Sequence, residues 1–121
     1  MTLTEYQIKA MRTCMPSCHN FSYMMLNLVG EVGELASKVA KAVRKTQVTV
    51  SYDDLKPLQM SKDEEAAFSE ALMLEAGDVL WELAGLCDAM GWELEDIAQK
   101  NLVKLASRQK RGVIDGNGDN R

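Results

Sequence analysis

Only two prolines, Pro16 and Pro57, punctuate these 121 residues, and elsewhere apolar side chains recur at steps of three and four. That period marks helices that bury one face. Proline interrupts such a helix by removing a backbone donor and crowding the preceding turn. The chain is therefore expected to be all-α, an antiparallel bundle of about four main helices. The first is predicted over about residues 3–14, and the second over 22–45, where Leu28, Val32, Leu35, Val39 and Ala42 form the apolar stripe. Residues 46–60 break the pattern. Val48, Val50 and Tyr52 alternate with polar neighbours, and Asp53, Asp54 and Pro57 are turn residues, so a loop with a short extended piece is expected.

Ser61 followed by Glu64 is a capping-box spacing that opens a third helix, and Gly91 suits the left-handed position after its end near Met90. A fourth helix begins near Glu93. Glu93, Glu95 and Asp96 complement its positive end, and Lys104, Arg108, Lys110 and Arg111 its negative end. Gly112 should stop it. The tail, residues 112–121, holds three glycines and is expected to be irregular.

The length suits one domain over residues 1–121, because two separate cores of about 60 residues would each be marginal. A chain with 46% hydrophobic and 26% charged residues belongs with globular proteins. The net charge of −4 argues against a nucleic-acid partner, since neutralising phosphates needs a basic surface. No apolar run reaches the ~20 residues that cross a bilayer, so neither a membrane partner nor a signal peptide is expected. Three cysteines, Cys14, Cys18 and Cys87, make no disulfide framework, which points to a reducing, cytoplasmic location. Cys14, Cys18 and His19 fall one ligand short of a structural zinc site. Trp81 and Trp92 are candidates to stack on a base, but for an aromatic on a helix packing in the core or at a subunit interface is the expected role.

The chemistry concentrates in two short segments. Glu31-Val32-Gly33-Glu34 lies in the second helix and Glu75-Ala76-Gly77-Asp78 in the third. Residues three apart share a helical face, so each segment projects two carboxylates in one direction. Both pairs border the apolar stripes, and Glu82 falls on the same side. If the stripes pack together, four carboxylates meet at the rim of the core. Such a group must take up protons, open, or bind a cation. An all-oxygen donor set suits Mg²⁺, Mn²⁺ or Ca²⁺ better than zinc. Gly33 and Gly77, costly inside a helix, are read as signs of close helix approach. The alternative is a pair of solvated faces, with Lys38, Lys41 and Lys45 forming ordinary helical ion pairs to Glu31 and Glu34.

These segments resemble the MazG-like nucleoside triphosphate pyrophosphohydrolases of the all-α NTP pyrophosphatase superfamily. The runs LVGEVGEL at residues 28–35 and EAGDVLWEL at 75–83 are similar to that family's two motifs. So are Tyr6-Gln7 with Arg12-Thr13, and the spacing of Asn101, Lys104 and Arg108. The resemblance implies Mg²⁺-dependent hydrolysis of a nucleoside triphosphate to the monophosphate and pyrophosphate, in nucleotide-pool housekeeping, with Mn²⁺ as a substitute. Carried over by position, Glu31, Glu34, Glu75 and Asp78 are metal ligands, and Glu34 is also a candidate to position or deprotonate water. Lys38, Asn101, Lys104 and Arg108 are phosphate or substrate contacts. Arg121 joins them, because the tail of Gly116, Gly118, Asp119 and Arg121 is similar to tails of some family members. A homodimer or homotetramer is implied.

Two features depart from the family pattern. Gly30 stands where many members carry a further glutamate, which leaves the number of metal ions open. The interval between the motifs is long, with residues 46–60 as an insertion near the pocket or a subunit interface. Two rival readings are a helical interaction module needing no metal, and a metal-dependent phosphohydrolase acting on nucleoside diphosphates.

Overall fold

Two long helices hold the structure together. In the computed structural model, which describes residues 1–121, these are α2 (Phe21–Arg44) and α3 (Lys62–Ala89). Asn20 caps α2, its side chain accepting from the Tyr23 N–H, and the predicted Ser61–Glu64 capping box opens α3. The two run antiparallel: Met24 of α2 meets Gly85 of α3, Asn27 meets Glu82, and Lys38 meets Glu75. The expected bundle is formed.

Between them the chain makes a small hairpin of β1 (Val48–Val50) and β2 (Leu55–Pro57), with Val48 opposite Pro57 and Val50 opposite Leu55. Val48 is buried, and the hairpin and Met60 face Phe68 and Leu72 of α3 across a shallow depression. The extended piece expected in this segment is therefore a paired hairpin.

Helix α1 (Leu3–Met11) ends a turn earlier than its apolar pattern suggests. Beyond it the chain tightens into three-residue turns, and Trp81 of α3 docks there, its indole N–H donating to Ala10 O and to Thr13 Oγ1. Trp81 is half-buried at this contact, whereas Trp92 is 47% exposed. Helix α4 (Leu94–Lys110) follows a turn in which Gly91 has φ +69°. Its cap residue Glu93 makes no side-chain cap bond. Buried Gln7 of α1 substitutes, accepting from the Leu94 N–H at 2.7 Å and donating to Trp92 O at 2.9 Å. A helix end thus gains a partner from another helix, as buried backbone groups require.

The core sits at this end. Ala84, Cys87 and Leu94 are buried, with Leu3, Tyr6, Met11, Leu83 and Ile97 packed around them. Gly33 and Gly77 do not have the role expected of them. An added Cβ at Gly33 or Gly77 would meet nothing within 4 Å, so neither marks a close helix approach. Gly85 does, because a Cβ there would lie 2.3 Å from Met24 Sδ. Met24 is fully buried and has little room to yield.

Candidate functional site

The antiparallel register of α2 and α3 carries the acidic segments to one another. One carboxylate oxygen from each of Glu31, Glu34 and Glu75 lies within 4.8 Å of the other two. Glu31 and Glu75 are half-buried and Glu34 is exposed. Burial pushes the Glu31 carboxyl above its ordinary range, and the neighbouring charges of Glu34, Asp78 and Glu82 push the same way. A hydrogen bond from Asn27 opposes them. The solvated-face alternative expected Lys38 to pair within its own helix. Instead its ammonium reaches across to Glu75, at 3.0 Å.

Asp78 stands outside this group of three and is exposed. Its charge still reaches the site, adding to burial in raising the Tyr6 hydroxyl and pushing Glu31 up as well. Cys14, Cys18, Cys87 and His19 form no comparable group. Cys18 and Cys87 are buried free thiols, and His19 pairs with Asp88.

Behind the carboxylates lies a contact that spacing alone did not assign. Asn27 donates from Nδ2 to Glu31 Oε1 at 3.2 Å and from the same nitrogen to Glu82 Oε1. Glu82 is 2% exposed, and its second oxygen, Oε2, has no partner. The four-residue spacing of Asn27 and Glu31 was the available signal, since such residues are neighbours on a helix. The acceptor on α3 belongs to the tertiary structure.

The basic residues behave differently. Lys104 and Arg108 share Asp119 Oδ1, at 3.2 and 2.8 Å, and Arg108 also donates to Gly118 O. Both cations hold the Asp119 carboxyl below its ordinary range, Arg108 foremost. Arg108 is buried, unlike the solvated arginine that a helix end usually presents. Arg121 donates to Val113 O at 3.1 Å and also to Gly118 O. The tail is irregular, as expected, yet it folds back onto α4. Asn101 is exposed beside Lys100 and Lys104. None of Asn101, Lys104, Arg108 and Arg121 forms an ion pair or hydrogen bond with Glu31, Glu34 or Glu75. Of the proposed phosphate contacts, Lys38 alone touches the carboxylate group.

A family model described as the MazG nucleotide pyrophosphohydrolase domain matches residues 19–113, a span that holds both acidic segments and the basic half of α4. The gene 37 protein of Mycobacterium phage L5 is 37% identical over 128 residues, an alignment covering 100% of each chain. No solved structure matches.

Proposed function

The chain belongs to the MazG nucleotide pyrophosphohydrolase family, and from that premise we propose that it hydrolyses nucleoside triphosphates to the monophosphate and pyrophosphate with Mg²⁺. The carboxylate group of Glu31, Glu34 and Glu75 carries this reading, with its oxygens within 4.8 Å of one another. An all-oxygen donor set with a single nearby ammonium fits a hard divalent ion, Mg²⁺ with Mn²⁺ as substitute. Glu31, Glu34 and Glu75 would hold it, with Asp78 from the rim as a fourth ligand. When bound, such an ion would acidify water and neutralise phosphate oxygens.

The remaining roles fall to this chain's own groups. Glu34 is the most exposed of the three and is suited to orient an attacking water and accept its proton. Lys38 sits at the edge of the group, where its ammonium can turn from Glu75 to a substrate phosphate. Asn101, Lys104, Arg108 and Arg121 are proposed as further phosphate contacts, with Asp119 standing in for the anion on Lys104 and Arg108. Exposed Leu26, Val29, Met73 and Leu74 support assembly into a homodimer or homotetramer. No helix is long and apolar enough to cross a membrane.

The test is a panel of ribo- and deoxyribonucleoside triphosphates incubated with Mg²⁺, with products resolved over time. Monophosphate with intact pyrophosphate is the expected outcome. Diphosphate with orthophosphate appearing first would reject it in favour of a phosphatase.

A further inference from the structure

We infer that Glu82 and Asn27 act together as positioning residues for Glu31, fixing the carboxylate that faces the metal. The inference rests on the metal reading above. Position 82 lies in the buried part of α3, beside Ala84, Gly85, Leu86 and Cys87, where an apolar side chain would pack well. A carboxylate there is costly unless it is paired. No lysine or arginine pairs with Glu82, and only one of its oxygens has a hydrogen-bond partner. Packing therefore gives no reason for this residue.

The partner supplies one. The Asn27 amide nitrogen carries two hydrogens, and two carboxylates accept from it: Glu31 on its own helix and Glu82 across the interface. Turning the amide over would set its oxygen against two anions. Glu82 thus locks the amide, and the locked amide holds Glu31 Oε1. The result is a short chain of contacts from the core of α3 to the rim of the carboxylate group. Groups behind a metal ligand orient it, and their loss typically lowers metal affinity about 10–100-fold. A Cβ added at Gly30 would lie 3.4 Å from Asn27 Oδ1, in ordinary contact with it.

The experiment is Mn²⁺ binding to the full chain by isothermal titration, alongside melting of the metal-free protein. The variants are Asn27→Leu, Glu82→Leu, Glu82→Gln and the double Asn27→Leu/Glu82→Leu. Each leucine variant should weaken Mn²⁺ binding by about 10-fold or more. Glu82→Gln keeps an oxygen that accepts from Asn27 and should stay within about two-fold of the parent. The double variant should lose no more than either single one, since both break the same link. If the leucine variants bind Mn²⁺ like the parent and only the melting temperature moves, Glu82 is structural and the inference is overturned. Glu82→Gln as weak as Glu82→Leu overturns it too, because the charge rather than the hydrogen bond would then matter. If Glu82→Leu does not fold, Asn27→Leu decides the same question from the less buried side. A parent chain that binds no Mn²⁺ removes the proposed function itself, and this inference with it.

Discussion

Glu31 is where burial, repulsion and hydrogen bonding meet on one side chain. Its raised titration has a definite sign. A carboxyl whose folded-state pKa exceeds its unfolded value contributes stability below the unfolded pKa, and that contribution is lost as pH rises through the folded pKa. The metal-free protein should therefore gain stability, relative to neutral pH, as pH falls through the window just above the ordinary glutamate range. Protons and metal compete for the same oxygens, so Mg²⁺ affinity should fall across that window. Thermal melts with and without saturating Mg²⁺ check both halves; a gain on acidification that is the same with metal would separate Glu31 from the metal site. Glu31→Gln should cut activity on the order of 10²-fold while leaving helical content intact. Its metal-free melting temperature should match or exceed the parent's, because one repelling charge is gone. Full turnover under limiting Mg²⁺ would show that Glu31 is no ligand.

At the level of elements, the α2–α3 pair can be probed through its glycines. Gly33 and Gly77 lie in helix interiors with open space at the Cβ position, so alanine at either should stabilise by roughly 0.5–1 kcal/mol. Gly85 is the opposite case. Alanine there meets the buried Met24 side chain, and overpacking should cost about 1–3 kcal/mol, more than the propensity gain returns. Adding Met24→Ala to Gly85→Ala should not restore the loss, because removing a fully buried methionine opens a cavity costing about 2–5 kcal/mol. Denaturant melts of the four variants measure all of this; a destabilised Gly33→Ala would mean the crossing is closer at the site than at the core end. The tail is a second element with a measurable role. Arg108→Ala removes a buried guanidinium that holds Asp119, so it should both loosen residues 113–121 and raise the Michaelis constant. Hydrogen exchange of the tail amides and steady-state kinetics separate the two effects. Unchanged kinetics with a loosened tail would confine Arg108 to a structural role.

For the whole molecule, the telling quantity is how little is buried: 13 of 121 residues. A chain of this size ordinarily hides far more of its apolar surface. Leu26, Val29, Met73 and Leu74 on α2 and α3, and Leu102, Val103 and Leu105 on α4, all remain exposed. Self-association would cover them, so light scattering should give a multiple of 13.5 kDa. Val29→Glu combined with Leu74→Glu should shift the protein toward monomer and lower its melting temperature. A monodisperse monomer for the parent would count against the assembly.

The helices, and most of their ends, are legible in local sequence, although α1 stops a turn early and α4 is capped by Gln7 of another helix. Periodicity, proline placement and caps act within a few residues, so Ser61–Glu64, Gly91 and Gly112 did in the structure what their spacing implied. Local sequence also places Glu31, Glu34, Glu75 and Asp78 in two like-spaced pairs, because a helix fixes which residues share a face. Which carboxylates meet depends instead on how α2 and α3 pack. The register of α2 on α3 brings three together and leaves Asp78 at the rim. That register follows from contacts between residues far apart in the chain, such as Met24 with Gly85, Asn27 with Glu82 and Lys38 with Glu75. The same holds for Arg108, which reads as a helix-end cation and is buried under a tail whose Asp119 lies eleven residues on. A local pattern states what each residue offers; long-range packing selects the partner, because burial energy is settled over the whole interface at once.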